Sequence, residues 1–222
     1  MPLFLKCLSA LLILLMMNGC SIRMPKETGE FKTSDLVELI RIDSSIHLDI
    51  RYATTNNFTH RTIYPKAVAY LQRPAAEALV RVNQSLKASG FGLLVFDGYR
   101  PWRVTKLFWK ITPKKDREFV ADPRKGSRHN RGCAVDLTLY DLKTGREVKM
   151  PGAYDEATER SYANYAGGTE QERKMRDLLR SAMESNGFTV LDNEWWHFDY
   201  RDWRSFRLLD LSFEHLAEGP SQ

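Results

Sequence analysis

A histidine and an aspartate stand close together in the segment Ser127–Asp136, which reads Ser-Arg-His-Asn-Arg-Gly-Cys-Ala-Val-Asp. Asp136 interrupts the apolar run Cys133–Tyr140, whose period of two predicts a strand with one oily face and the aspartate on the other. An unpaired buried charge is costly, so this carboxylate needs a partner. The candidate partners are His129, in the preceding loop, and a metal ion that both residues could hold.

A second histidine, His197, lies in the segment Glu194-Trp195-Trp196-His197 near the end of the chain. Together with His129 and Asp136 it makes three protein ligands, the pattern of a catalytic zinc site whose fourth position is left for water. The sequence has no cysteine cluster of the kind that a closed structural zinc site uses. It therefore predicts one catalytic Zn²⁺ per chain, held by these three residues.

Two further residues would complete the chemistry of such a site. Zinc lowers the pKa of its bound water to about 7, and Glu194 is the candidate base that takes the remaining proton and passes it to the leaving amine. Arg100, in a turn after a predicted strand, is the candidate for stabilising the developing oxyanion. Each residue alone has a simpler explanation, such as a solvated loop histidine, a core histidine or a surface arginine. Their combination beside predicted strands favours the zinc site.

Strand geometry places a condition on Glu194. Glu194 and His197 have opposite parity, so on a regular strand they would point to opposite faces. Glu194 therefore reaches the site only if it lies at the start of the strand or on a bulge. The turn-forming pair Asp192-Asn193 just before it favours the start. Asp199 shares the face of His197 and is a candidate hydrogen-bond partner for it.

The rest of the pattern predicts a single α+β domain with a small, mainly antiparallel sheet packed by helices. Amphipathic spacing predicts helices over Gln72–Ser89, over Trp102–Ile111, and from the capping box of Thr169 and Glu172 to Gly187. Polar stretches at residues 53–64, 112–126 and 151–168 predict loops, the first of them over a cleft. Apolar alternation predicts six strands and a hairpin partner, namely Leu36–Ile42, Ile46–Tyr52, Phe91–Phe96, Cys133–Tyr140, Phe188–Leu191, Glu194–Tyr200 and the partner Arg146–Met150.

The start of the chain predicts export from the cytoplasm. Leu8–Met17 is an apolar run, too short for an ordinary spanning helix, that ends at Asn18-Gly19-Cys20. We predict a lipoprotein signal peptide over residues 1–19, a lipid on Cys20 that anchors the chain to a membrane, and a polar tether over residues 20–33. An ordinary signal peptide and a plain anchor helix are the alternatives. The expected location is the cell envelope, on the periplasmic face of the outer membrane if the cell is Gram-negative.

Charge argues against nucleic acid as a partner, and the cysteine content argues against an internal disulfide. The formal net charge of +5 is modest and the basic residues are scattered, so nucleic acid is not an expected partner. Of the three cysteines, Cys7 lies in the predicted signal peptide and Cys20 would carry lipid. Cys133 is then alone and cannot form an internal disulfide. Its place on the oily face of a strand predicts a small core residue.

These segments resemble a known family. Ser127-x-His129-x-x-Gly132-x-Ala134-x-Asp136 and Glu194-x-Trp196-His197 are similar to the two signatures of the zinc D,D-peptidases, which are grouped with lysostaphin-type endopeptidases and the hedgehog fold. Within that group the chain is most similar to the VanX-type D-alanyl-D-alanine dipeptidases. The stretches that carry this similarity are Arg51–Thr54, Asn57–Thr59, Asp97–Pro101, Asp136–Tyr140 and Met150–Asp155.

The resemblance implies a zinc D,D-dipeptidase domain over residues 34–222 and a role for each site residue. His129, Asp136 and His197 would bind zinc, Glu194 would be the base, and Arg100 would polarise the scissile carbonyl. Three more residues would hold the dipeptide D-Ala-D-Ala: Asp155 and Tyr52 at its free ammonium, and Ser127 at its carboxylate. The chain departs from the family in carrying Cys133 where a small, non-thiol residue is expected. Its lipoprotein-like leader also departs from a branch often expected in the cytoplasm.

Three functions follow as hypotheses. The leading one is zinc-dependent hydrolysis of D-Ala-D-Ala to two D-alanines. The second is a D,D-carboxypeptidase that trims peptidoglycan stem peptides, which the signatures and an envelope location also allow. The third is a non-catalytic wall-binding zinc module, against which the presence of Glu194 and Arg100 speaks.

Overall fold

The computed structural model describes residues 22–218, so the signal-peptide prediction and the predicted lipidation of Cys20 lie outside it. The described chain forms a five-stranded sheet in the order β2-β4-β5-β7-β6, in which β2 pairs in parallel with β4 and every other pairing is antiparallel. A separate antiparallel pair joins β1 and β3. In chain order the strands are β1 Leu36–Glu38, β2 His47–Leu48, β3 Tyr70–Gln72, β4 Phe91–Asp97, β5 Ala134–Asp141, β6 Phe188–Leu191 and β7 Glu194–Tyr200.

Helices pack against this sheet and complete the predicted α+β domain. They are α1 Leu39–Ile42, α2 Arg73–Lys87, α3 Trp102–Ile111, α4 Glu170–Glu184 and α5 Phe213–Glu218. The apolar stripe predicted for α2 is fully buried, and the helix contacts β4. Helix α4 begins with the predicted capping box of Thr169 and Glu172 and contacts β5, β6 and β7. Both helices therefore hold the sheet from the core side.

Strand β5 is buried on both faces. Val135, Leu137 and Leu139 belong to the hydrophobic core, so Asp136 points to the other face of the sheet, as the alternation predicted. That second face is also shielded from solvent, because Asp136 and Thr138 are almost fully buried. A carboxylate in this position needs hydrogen-bonding or charged partners, and the surrounding loops supply them.

Three predicted elements differ from the structure. The strand predicted over Leu36–Ile42 ends at Glu38, because β3 offers only three residues to pair with, and the chain then turns into α1. The strand predicted over Ile46–Tyr52 is reduced to His47–Leu48 and followed by a 3₁₀ turn at Arg51–Ala53, although Ile46 and Ile50 do point into the core. The predicted hairpin partner Arg146–Met150 forms a single bridge, from Glu147 to Tyr140, and no strand.

The described part of the predicted tether lies against the domain. Residues 22–33 contain no helix or strand, but Glu27 pairs with Arg131 at 2.6 Å and accepts a hydrogen bond from the Leu208 amide at 2.7 Å. The Lys32 amide donates to the Ser205 carbonyl at 2.8 Å. This segment is therefore a docked strap over at least residues 27–32. Within residues 22–218, none of the helices has the length and apolar character needed to span a bilayer.

Candidate active site

The ends of three adjacent strands bring charged side chains into one row. The register of β5 against β7 pairs Asp136 with His197, and the register of β4 against β5 pairs Asp97 with Asp136. His129 joins them from a 3₁₀ turn, His129–Arg131, just before β5. Gly132 ends this turn with a φ of 67°, and a side chain there would collide with Leu36. The signature glycine is thus explained by the tight path of the chain from the histidine into the strand.

His129, Asp136 and His197 present three ligand atoms to a common point. Nε2 of His129 lies 3.0 Å from Nδ1 of His197, and Oδ1 of Asp136 lies 3.2 Å and 3.0 Å from these two nitrogens. Ligands held at 2.0–2.1 Å around a tetrahedral ion are spaced roughly 3.3 Å apart. This nearly equilateral triangle of buried N and O donors therefore fits a single metal ion.

Hydrogen bonds at the far ring nitrogens orient both histidines. Nδ1–H of His129 donates to the Gly98 carbonyl at 2.7 Å, and Nε2–H of His197 donates to Asp199 Oδ1 at 3.0 Å. Since a carbonyl and a carboxylate only accept, these contacts leave His129 Nε2 and His197 Nδ1 free to ligate. The contact predicted for Asp199 is confirmed. Burial opposes ionisation of Asp136, but the two histidines outweigh it and hold its pKa well below the usual range.

Glu194 meets the geometric condition that its parity imposed. Glu194 is the first residue of β7 and lies beside a register shift between β6 and β7. Its side chain therefore need not point to the face opposite His197, as it would within a regular strand. Its Oε2 lies 3.7 Å from His197 Nδ1, on the same side as the three ligand atoms. Burial raises the pKa of Glu194 above its ordinary value. A carboxylate with a raised pKa is a stronger base, as proton transfer requires.

Arg100 is held rigidly by residues that sequence analysis did not single out. Its Nε and Nη2 donate to Asp97 Oδ2 at 2.9 Å and 2.7 Å, while Tyr64 donates to Asp97 Oδ1 at 3.0 Å. The guanidinium also lies near the rings of Tyr52 and Phe108, at 5.3 Å and 5.0 Å. Its Nη1 has no hydrogen-bond partner among residues 22–218. The sequence did contain a signal that Asp97 is a buried functional acid. It directly follows the apolar run Phe91–Phe96, much as Asp136 interrupts the apolar run of β5.

Asp155 occupies a backbone conformation that few residues adopt. Its φ is 59°, in the left-handed region, and its carboxylate accepts from the Tyr52 hydroxyl at 3.0 Å and 3.3 Å. Burial, with a smaller effect from Asp136, raises the pKa of Asp155 to about 8. The preceding residue, Tyr154, also escaped sequence analysis, and its hydroxyl donates to Asp136 Oδ2 at 3.1 Å. The left-handed backbone of Asp155 is a strained conformation, and strained residues cluster at functional sites.

Ser127 and Cys133, which both lie in the segment before β5, have different surroundings. Ser127 is nearly buried, lines the cleft, and its hydroxyl accepts from the His129 amide at 3.2 Å. Cys133 is buried and lies outside the lining of the cleft, and burial raises the pKa of its thiol to about 12. The departure at Cys133 is thus a neutral thiol in the core, as predicted from its strand face.

One cleft of about 700 Å³ contains the whole constellation. Residues of 58–61 line part of it, in agreement with the loop predicted over a cleft at residues 53–64, and so do residues of 111–121, from the end of α3 onwards. Eight of the nine residues predicted for the site lie within the described chain, and all eight line it: Tyr52, Arg100, Ser127, His129, Asp136, Asp155, Glu194 and His197. The ninth, Cys20, belongs to the lipidation prediction and lies outside residues 22–218.

A family model described as D-Ala-D-Ala dipeptidase, peptidase M15, matches residues 32–215. The chain belongs to the M15 peptidase family. This M15 chain is 34% identical to a D-alanyl-D-alanine dipeptidase of Escherichia coli K12 over 181 residues, which cover 82% of this chain and 92% of the relative. It is 35% identical to a D-alanyl-D-alanine dipeptidase of Enterococcus faecium over 182 residues, which cover 74% and 90%.

Among solved structures, the M15 chain is similar to the D,D-dipeptidase VanXYg in complex with a D-Ala-D-Ala phosphinate analogue. The sequence identity is 18%, the TM-score is 0.41, and the match covers 77% of this chain and 68% of the other. The family assignment confirms the resemblance seen in the sequence signatures, and it makes the chain a peptidase. The three-residue cluster in its cleft is able to hold a metal.

Proposed function

We propose that this M15 peptidase hydrolyses free D-Ala-D-Ala to two D-alanines, with one zinc ion held by His129, Asp136 and His197. The observation that carries the proposal is the pairing of this metal triangle with a half-buried acid, Asp155, in the same cleft. A zinc ion held there supplies Lewis-acid polarisation and a hydroxide nucleophile at neutral pH. Every other part of the reaction falls to side chains of the chain itself.

Glu194 and Arg100 would act on the scissile peptide bond. Glu194 lies beside the metal triangle, where it would take the proton of the attacking nucleophile and pass it to the leaving amine. Arg100 would offer Nη1 to the carbonyl oxygen as negative charge develops there. Because Asp97 and Tyr64 already fix the guanidinium, it would stabilise that charge without reorganising during the reaction.

Asp155, Tyr52 and Ser127 would select the ends of the substrate. The carboxylate of Asp155 would pair with the free ammonium of the dipeptide, with the Tyr52 hydroxyl fixing its direction. The Ser127 hydroxyl, which lines the same cleft beside His129, would donate to the substrate carboxylate. An acylated nitrogen carries no charge, so a stem peptide would leave Asp155 unpaired in the cleft, and such a loss is heavily penalised.

A substrate panel tests this function. The zinc-loaded chain should release D-alanine from free D-Ala-D-Ala and cleave N-acetyl-D-Ala-D-Ala far more slowly. Glu194→Gln should abolish the activity, whereas Glu118→Gln, an exposed acid at the rim of the same cleft, should leave it unchanged. An active Glu194→Gln variant would contradict the assigned base.

The size of the cleft also supports a second candidate function. At about 700 Å³ it is roomier than two alanines require, which favours testing the D,D-carboxypeptidase alternative. Cleavage of stem pentapeptides as fast as the dipeptide would establish that activity instead. Zinc binding without turnover of any of these substrates would favour the wall-binding module.

We also propose that the chain acts in the cell envelope, on the periplasmic face of the outer membrane. The support is the apolar run Leu8–Met17 followed by Gly19-Cys20. Glu27, the first docked residue of the strap, follows Cys20 by seven positions in the sequence, and a chain of that length spans at most about 25 Å. A lipid on Cys20 would therefore hold the domain near the membrane. Labelled fatty acid should be incorporated into the wild type and not into Cys20→Ala, and incorporation that persists in the variant would refute lipidation at Cys20. Recovery of the wild-type chain in the cytoplasmic fraction would refute the location.

A further inference from the structure

The two oxygens of Asp136 have different partners. Oδ1 faces the ligand nitrogens of His129 and His197, at 3.2 Å and 3.0 Å. Oδ2 points away from the triangle and accepts from the Tyr154 hydroxyl at 3.1 Å. The carboxylate is therefore divided between one oxygen for the metal triangle and one for the tyrosine.

Tyr154 is the short-range donor to Oδ2 among residues 22–218. A second possible donor is the guanidinium of Arg100, whose Nη2 lies 3.7 Å from Oδ2. That guanidinium is already committed, because its Nε and Nη2 donate to Asp97 at 2.9 Å and 2.7 Å. The rotation of the Asp136 carboxylate is thus controlled by the tyrosine hydroxyl.

The ring of Tyr154 is packed tightly enough to hold that hydroxyl in place. Its centroid lies 4.6 Å from the ring of Phe96 and 5.4 Å from that of Trp196. Arg51 closes the stack, with its guanidinium 4.5 Å from the Phe96 ring, and is itself fixed by an ion pair with Asp49 at 2.7 Å. The hydroxyl is therefore presented by a rigid aromatic cluster and needs no ordering when a metal binds.

We propose that Tyr154 is a positioning residue for the metal centre, which fixes the Asp136 carboxylate so that Oδ1 alone is offered to the ion. This inference rests on the proposed zinc function and deepens it. Without the hydroxyl, Asp136 is free to rotate and the triangle of donor atoms loses one fixed corner. Partners that orient a metal ligand in this way typically contribute 10–100-fold to metal affinity or activity.

Tyr154 could also act by supporting its neighbour Asp155 in the ammonium pocket, and this role can be separated experimentally from the orientation of Asp136. Asp155 follows directly in the chain and adopts the left-handed conformation that aims its carboxylate at Tyr52. Tyr154→Phe retains the packed ring and hence this backbone, while it removes only the hydroxyl that contacts Asp136. A role in the metal centre would change metal affinity, whereas a role in the ammonium pocket would change KM for the dipeptide.

The test compares Tyr154→Phe with Tyr162→Phe, a change on an exposed ring of the same loop, in the full-length chain. Zinc affinity is measured by competition with a chromophoric chelator, and kcat and KM are measured on D-Ala-D-Ala at saturating zinc. We expect a 10–100-fold loss of zinc affinity in Tyr154→Phe, an unchanged KM, and wild-type values in Tyr162→Phe.

Two results would overturn the inference. Zinc affinity of Tyr154→Phe within twofold of the wild type would show that the hydroxyl does not position Asp136. A raised KM with unchanged zinc affinity would move Tyr154 to the ammonium pocket. In both cases a wild-type chain that binds zinc and cleaves the dipeptide leaves the proposed function standing. A wild-type chain that binds no zinc overturns both together.

Discussion

Asp155, which is half-buried, differs from the buried acids Asp97 and Asp136 in the groups that could balance its charge. Asp97 is paired with Arg100, and Asp136 faces two histidines. For Asp155, by contrast, no arginine, lysine or histidine within residues 22–218 forms an ion pair, and its only side-chain partner is the Tyr52 hydroxyl. The proposed substrate supplies the missing cation. At the scale of single residues, the site thus contains an acid without a cationic partner among residues 22–218, and the ammonium of the proposed substrate would supply one.

This arrangement predicts a pH-dependent gain of stability in Asp155→Asn. Burial raises the pKa of Asp155 to about 8, above about 3.9 for an unfolded chain, so the folded state binds this proton more tightly. The group therefore costs stability progressively as pH rises from about 4 to about 8. Asparagine carries no charge and tolerates the left-handed conformation. The melting temperature of Asp155→Asn should exceed that of the wild type by more at pH 8 than at pH 5.

The control for this prediction is Asp122→Asn. A side-chain hydrogen bond from Arg124 lowers the pKa of Asp122, so the contribution of this partly exposed carboxylate is already complete at pH 5. Its effect on melting temperature should be the same at pH 5 and pH 8. Thermal unfolding of all three chains, with and without zinc, checks the comparison. An Asp155→Asn difference that is equal at the two pH values would contradict the raised pKa.

At the scale of elements, the site depends on the register of the sheet more than on any single loop. Asp97, Asp136 and His197 are neighbours because β4, β5 and β7 pair in a register that sets them side by side. A slip of one residue would turn Asp136 towards the core. Helices α2 and α4 keep this register by burying the oily face of the sheet.

Thr169→Ala tests whether helix α4 acts only as this support. Thr169 accepts from the Glu172 amide at 3.2 Å, and Glu172 accepts from the Thr169 amide at 2.7 Å. Loss of such a cap should cost about 1 kcal/mol of unfolding free energy, or roughly 2–4 °C in melting temperature. Because α4 lies away from the cleft, kcat and KM should not change. Thr189→Ala, on the exposed side of β6, is the matched control. Lost activity at unchanged melting temperature would give α4 a direct role in the site.

At the scale of the whole molecule, an ion pair joins the amino-terminal strap to the turn His129–Arg131, which carries a candidate metal ligand. Arg131 lies two residues after His129, and Glu27 is its carboxylate partner at 2.6 Å, with both side chains largely buried. The same carboxylate accepts from the Leu208 amide, which ties the strap to the carboxyl-terminal segment as well. The strap is thus part of the folded unit that presents the candidate metal ligand His129.

Glu27→Ala should therefore destabilise the domain although it lies far outside the cleft. It leaves Arg131 without its carboxylate and the Leu208 amide without an acceptor, so we expect a loss of about 1–3 kcal/mol of unfolding free energy. Glu30→Ala, on an exposed neighbour of the same strap, should change it by less than about 0.5 kcal/mol. Urea unfolding of the two variants makes the measurement. Equal stabilities would show that the strap is a free tether, as its composition alone predicted.

Local sequence was enough for the elements whose pattern is strong by itself. The amphipathic helix Trp102–Ile111 and the strands Phe188–Leu191 and Glu194–Tyr200 have the predicted bounds. Their apolar periodicity and flanking turn residues act over short distances in the chain. The short strands were mispredicted for the opposite reason: β1 and β2 end where their partners β3 and β4 stop pairing, and no nearby residue signals that point.

The sequence by itself determined the chemical inventory of the site. Residue types and spacing named the metal triangle, and strand parity stated the condition under which Glu194 could reach it. Only the tertiary structure decided that the pairing of β6 with β7 shifts register beside Glu194, and that Asp97 and Tyr154 fix Arg100 and Asp136. The physical reason is that these contacts join residues from different strands and loops. Their geometry follows from sheet register and side-chain packing, which no local pattern contains.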